Sequence, residues 1–343
     1  MLTKPTIDDP NQVTEALPRW RRRLSPPLMI LSVVILFVAY GLYRFQIRPL
    51  LTMSLPEHTA QPLDTVPVEL TNFQVRLDGE DVIPSAVAFA KDSLYVAFSR
   101  KSAVQVYSSQ LDLLKTIRLE RPQTVIPNSI VVTDSLLIVA DTAARQIALY
   151  DREGDFLTSI QWYPDQSNRI DPLAIASDGR RLAVVDGALN RIAIISLVDN
   201  QPFAEFLELL DLLPHEKVGT LSEPRMTLLT PDDRLWVGES RSISRFTSDG
   251  HPLGSVEPPP KTRIVLPFAA AIVTDNTDSS ATRIHVLDKI AGKVFVYDLN
   301  AKLRLVYPRD RALQRPSGIA VDQIHRTIFI TETETASITA FGY

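Results

Sequence analysis

The feature that most limits what this chain can fold into is a proline-led apolar segment that occurs six times. The copies are Pro84–Phe89, Pro127–Val132, Pro172–Ala176, Pro224–Leu229, Pro267–Val273 and Pro316–Asp322, at intervals of 43, 45, 52, 43 and 49 residues. Such an interval matches one four-stranded blade of a β-propeller. A second apolar run follows each copy, at Leu94–Phe98, Leu136–Ala140, Leu182–Val185, Leu235–Gly238, Ile284–Leu287 and Ile328–Thr331. The third strand shows clearer alternation, as in Arg191–Ile195 and Lys293–Asp298, which marks one polar face. Polar turns such as Asp151–Gly154 and Ser248–Gly250 come next. They lead into a fourth strand at Leu114–Leu119, Phe156–Ile160, Ala204–Leu207, Leu253–Val256 or Leu303–Tyr307.

The sixth copy stops after its third strand, Ser337–Phe341, while an unassigned strand, Phe73–Leu77, precedes the first proline and is similar to Lys115–Glu120. The N-terminal strand is therefore expected to complete the last blade and close the ring, which removes two open sheet edges. The predicted fold is all-β, a six-bladed β-propeller over residues 68–343. Two motifs point the same way. Pro-x-Gly-Ile-Ala-Val-Asp is complete at Pro316–Asp322, and an Asp…Asn-Arg-Ile pattern stands at Asp186 and Asn190–Ile192. On these residues the region resembles the NHL-repeat family of β-propellers, although five copies lack the motif glycine. The resemblance implies the fold more than an activity. It also implies an alternative function, since some propellers of this kind are metal-dependent lactonases, lyases or esterases.

Residues 24–43 carry no charge over 20 positions, enough for a helix of roughly 30 Å that spans a bilayer core. Pro26 and Pro27 suit its first turn, and Trp20, Tyr40 and Tyr43 suit the two interfaces. Lys4, Arg19, Arg21, Arg22 and Arg23 precede the segment, and only Arg44 and Arg48 closely follow it. The positive-inside rule then places residues 1–23 in the cytoplasm and the propeller outside the cytoplasmic (inner) membrane, on its periplasmic side. The rival reading is a signal peptide cleaved at Ala39-Tyr40-Gly41. Residues 44–67, with Pro49, Pro56, Pro62 and Pro67, read as a semi-extended linker.

The formal charge is −4 overall and the N-terminal tail is basic, so the main region is acidic. That argues against nucleic acid as a partner. Cysteine is absent, which excludes disulfides and thiolate chemistry. An acid often ends the second strand: Asp141, Asp186, Glu239, Asp288 and Glu332. They should form a ring on one face, either capping backbone N–H groups or holding a cation at the channel mouth. Of the five histidines, His58 falls in the linker, His251 in a turn and His285 in a strand. No two share a metal-ligand spacing, and each reads as a surface or half-buried residue. No phosphate loop, dinucleotide fingerprint or nucleophile elbow is present. No metal site, cofactor or catalytic residue is assigned.

The long third interval contains Leu207, Leu209, Leu210, Leu212 and Leu213. This leucine cluster is read as a short helical excursion, either packed on the rim or exposed as a partner-docking patch. A polar loop at Thr274–Thr282 reads as a solvated hairpin tip. The functional expectation is a membrane-anchored protein-binding or scaffold module whose partner is an envelope protein or a peptide. The alternative is a hydrolase or lyase with a metal in the channel.

Overall fold

Proline lacks the N–H that a central strand needs, so it is tolerated at the first position of a strand. Every repeat uses it near the start of its innermost strand. The computed structural model describes residues 63–119, 124–162, 168–197, 210–212, 221–256, 263–274 and 281–343. The chain begins with β1 (Val68–Gln74), then a small hairpin of β2 (Arg76–Leu77) and β3 (Glu80–Asp81). Blade one is β4 (Ala86–Ala90), β5 (Ser93–Phe98), β6 (Ala103–Ser108) and β7 (Leu113–Arg118). Blade two is β8 (Pro127–Val132), β9 (Leu136–Asp141), β10 (Gln146–Asp151) and β11 (Phe156–Ile160). Blade three is β12 (Pro172–Ser177), β13 (Arg181–Asp186), β14 (Arg191–Ser196) and β15 (Leu210–Leu212). Blade four is β16 (Met226–Leu229), β17 (Arg234–Glu239), β18 (Ser242–Thr247) and β19 (Pro252–Ser255). Blade five is β20 (Pro267–Val273), β21 (Arg283–Asp288), β22 (Lys293–Asp298) and β23 (Leu303–Tyr307). Blade six takes β24 (Pro316–Asp322), β25 (Thr327–Glu332) and β26 (Ser337–Gly342) from the end of the chain and β1 from its beginning, in the order β1-β26-β25-β24.

The ring is thus closed by β1, which pairs antiparallel with β26 from Val68↔Gly342 to Gln74↔Ser337. The expected closing strand, Phe73–Leu77, is displaced towards the N-terminus. The cause lies in Asp78 and Gly79, which both hold positive φ (54° and 84°). That is the geometry of a tight hairpin turn. It recruits Arg76–Leu77 into pairing with Glu80–Asp81 and tucks Val75, Leu77 and Val82 into the core between blades six and one.

Blade three carries a second correction. Leu210–Leu212 is a strand and completes the sheet, with Ala193↔Leu212, Ile194↔Asp211 and Ile195↔Leu210 as partners. The leucine cluster therefore contains the blade's fourth strand rather than a helix. The free edge of β14 offers a ladder of backbone groups that an isolated helix leaves unpaired. Ala204–Leu207, Leu209 and Leu213 lie outside the described residues, as does most of the Thr274–Thr282 loop.

The core is a set of six packed interfaces, one between each pair of neighbouring blades. Tyr95, Val104, Val139 and Tyr150 fill the interface of blades one and two. Ile147, Leu149, Val184 and Ile195 fill that of blades two and three, and Val185, Leu235 and Val237 that of blades three and four. Trp236, Phe295 and Tyr297 lie between blades four and five. Val296, Tyr307, Ile330 and Phe341 lie between blades five and six. The tail, segment 24–43 and most of the linker are outside the described residues. Among the described residues no helix is long and apolar enough to cross a membrane.

Candidate functional site

Antiparallel order puts two kinds of connection on one face of the disc: the turns between second and third strands, and the loops that enter the inner strands. This is the upper face here. In five blades a backbone bond ties the two together: Thr142 N–H to Ile126 O (3.3 Å), Gly187 to Asp171 (2.9 Å), Ser240 to Ser222 (3.0 Å), Lys289 to Leu266 (3.0 Å) and Thr333 to Arg315 (3.2 Å). Each donor directly follows one of the five acids.

The acids complete the same clamps. Asp141 Oδ1 accepts from the N–H groups of Ile126, Ala143 and Ala144 at 3.1–3.3 Å, and its Oδ2 accepts from Gln146. Asp186 accepts from Ala188 and Leu189. Asp288 accepts four backbone N–H groups, from Val265, Leu266, Ile290 and Ala291, at 2.6–3.0 Å. Glu239 accepts from Ser222 N–H and the Ser244 hydroxyl. Glu332 accepts from Gln314 N–H, the Thr339 hydroxyl and Arg311. All five are buried. Burial pushes the Glu332 carboxyl up, but hydrogen bonds from Arg311, Gln314 and Thr339 outweigh it and hold the group below its ordinary value. The equivalent position in blade one is Phe98, packed in the core.

The inner strands enclose a central cavity of about 530 Å³, within the range of small-ligand sites. Apolar side chains such as Val87, Ala88, Val131, Ala174, Leu228, Ala269 and Val321 line it, but polar and apolar atoms share its exposed wall about equally. The ionisable groups in the described lining are Lys91, Asp134 and Arg225. Lys91 and Asp134 pair with each other at 3.2 Å on the lower face. Among the described residues no group of three or more His, Asp or Glu is placed to hold a metal. His285 lies away from the channel and is fully buried, a correction to its expected half-exposed place. Its Nδ1 sits 3.0 Å from the Tyr307 hydroxyl, and burial, with Arg283 nearby, lowers its pKa to about 3.

One repeat position sets the chemistry of the upper mouth: the residue after the inner-strand proline. In blades two, three, five and six it sits in a β-bulge, because proline pairs with the acid (Pro127↔Asp141, Pro172↔Asp186, Pro267↔Asp288, Pro316↔Glu332) and the next residue is skipped. Sequence reasoning found the proline and the acid but not this position between them. Its occupants around the ring are Ser85, Asn128, Leu173, Arg225, Phe268 and Ser317. Arg225 and Phe268 face the cavity. The Lys289 ammonium lies 3.9 Å from the centre of the Phe268 ring, a cation–π distance.

No family model matches the chain, and no curated protein matches it in sequence. Solved structures do match in shape. Virginiamycin B lyase from Staphylococcus aureus, an inactive H270A form solved with quinupristin, aligns with a TM-score of 0.54 at 16% identity, over 80% of this chain and 99% of that one. A streptogramin B lyase gives 0.54 at 14% identity, over 79% and 97%. Hydrazine synthase of Kuenenia stuttgartiensis gives 0.52 at 13%, over 77% and 84%. At these identities the likeness establishes the propeller fold alone. The resemblance to NHL repeats rests on the two motif segments.

Proposed function

We propose that the chain is a membrane-tethered recognition module. In this reading segment 24–43 holds the propeller on the outer side of a cytoplasmic membrane, and the upper face binds an envelope protein or peptide. The observation that carries the reading is the chemistry of the channel. A hydrolase or lyase needs an acid, a base or a metal-ligand set converging where the substrate sits. The ionisable groups of the described lining are Arg225 at the mouth and, on the lower face, Lys91 and Asp134, which are paired with each other, while the five acids above it are engaged with their own clamps. A rigid disc with variable loops suits recognition, and a membrane tether raises local concentration. The uncharged run 24–43 beside Arg21, Arg22 and Arg23 supports the placement.

The test uses the full chain in its membrane. A reporter that works only outside the cytoplasm, fused after Tyr343, is expected to be active. A photo-crosslinking residue at Phe268 is expected to capture a defined envelope polypeptide, while one at Asp134 on the lower face does not. Metal-dependent turnover of quinupristin or of a lactone by the purified chain overturns the binding reading in favour of an enzyme. A reporter silent on the intact chain removes the extracytoplasmic placement.

A further inference from the structure

Three cations from three successive blades gather at one side of the upper mouth. Arg225 follows the inner-strand proline of blade four, Lys289 follows Asp288 in blade five, and Arg315 precedes Pro316 in blade six. Among the described residues Lys289 and Arg315 have no carboxylate partner, and Arg225 reaches only the exposed Glu223, at 4.0 Å. Burial, then repulsion from Arg315 and Arg225, lowers the Lys289 pKa from its ordinary value. Like charges held close with only the exposed Glu223 beside them cost free energy in the empty protein, and an anion placed between them relieves that cost.

A second observation is the cavity beside them, about 530 Å³, whose lining includes both Arg225 and Phe268. Below the cations Leu173, Leu228 and Phe268 line it together with exposed polar atoms. A bare inorganic anion leaves most of that space unfilled.

We infer that the upper mouth is a carboxylate site, taking an organic carboxylate between Arg225, Lys289 and Arg315 while the group attached to it enters the cavity past Phe268. This deepens the binding-module reading by naming its ligand chemistry. The source is either the free C-terminus of a peptide or a small organic acid, and the two share the same recognition.

The experiment is a titration of the solubilised full chain by ligand-observed NMR. The probes are acetyl-Ala-Ala-Leu as its free acid, the same peptide as its C-terminal amide, acetyl-leucine, and inorganic phosphate. The acid peptide is expected to bind at least about tenfold more tightly than its amide, with phosphate weakest. Arg225→Gln, Lys289→Gln and Arg315→Gln each weaken the acid about threefold or more, and the triple variant abolishes binding. Arg180→Gln on the lower face changes nothing. A stronger response to acetyl-leucine than to the peptide assigns the site to small acids. Equal binding of acid and amide, or undiminished binding by the triple variant, overturns the carboxylate site. Those results leave the crosslinking result at Phe268 standing, whereas turnover of quinupristin overturns the module reading without touching the carboxylate contact.

Discussion

The two halves of the ring use the same repeat position differently. In blades six, one and two the residue after the inner-strand proline is a short donor that reaches the next blade. Ser317 donates to Pro84 O at 3.0 Å, Ser85 to Pro127 O at 2.6 Å, and Asn128 to Leu173 O. Three successive interfaces, six to one, one to two and two to three, are thus stitched at the mouth. In blades three, four and five the position holds Leu173, Arg225 and Phe268, and no such stitch exists. Blades three and four are instead joined on the lower face, where Arg181 bridges Asp178 (2.8 Å) and Asp233 (2.6 Å). The non-covalent seam of the ring lies inside blade six, between β1 and β26, where Asn72 donates to the Ser337 and Thr339 hydroxyls and Arg311 donates to Glu69. The opposite half is free to present large side chains at the mouth.

The strongest way to break this contrast is to remove the seam itself. A full chain lacking Val68–Gln74 leaves blade six without its outer strand and exposes the edge of β26. The expected result is loss of a cooperative unfolding transition, since the packing lost is comparable with a domain's whole stability of about 5–15 kcal/mol. A truncated chain that unfolds like the intact one removes the special status of the seam.

A pH series sharpens the contrast by placing a sensitive element in the unstitched half. His285 in blade five is fully buried and held neutral, with a pKa of about 3 against 6.5 when unfolded. Its folded value is depressed, so below pH 6.5 the unfolded chain takes up a proton that the folded chain refuses. Stability is complete above pH 6.5 and falls by about 1.4 kcal/mol per pH unit below it. Denaturant titrations between pH 7 and 4.5 are expected to show a loss of about 2–3 kcal/mol from this group. The double variant His285→Leu, Tyr307→Phe, which leaves no orphaned hydroxyl, is expected to flatten that slope. Glu332, at the seam, titrates lower. Its folded pKa lies below 4.5, so its contribution is lost only as pH falls beneath that value.

The smallest effect addresses the stitch directly. Ser317→Ala leaves the Pro84 carbonyl unpaired between blades six and one and is expected to cost about 1–2 kcal/mol. Arg225→Ala in the open half is expected to change stability by less than about 0.5 kcal/mol, as surface substitutions usually do. Equal melting shifts for the two variants remove the distinction between the halves.

Much of this architecture is legible in the amino-acid sequence, for a physical reason. Blade number, strand order and ring closure are carried by patterns within each repeat: a proline where a strand can lack its N–H, an apolar run, an acid, a turn. These depend on residues close in sequence. Two errors came from weighing a local pattern alone. The leucines of blade three suggest a helix when counted by spacing, but the unpaired edge of β14 decides that Leu210–Leu212 forms a strand. Phe73–Leu77 looks like one strand, yet the Asp78-Gly79 turn, visible in the sequence, divides it.

The mouth of the channel was not legible in the same way. Ser85, Asn128, Leu173, Arg225, Phe268 and Ser317 differ widely as residue types, and only the blade repeat, with its skipped pairing after the proline in four blades, puts them in one ring. Arg225, Lys289 and Arg315 come from three blades, and only the ring brings them to one side of the mouth. The sequence by itself determined the repeat, the fold and the clamp-forming acids, because each is satisfied within one blade or its entering loop. The tertiary structure decided which blades are stitched, which are open and where charge gathers, because those properties arise between blades that are distant in the chain.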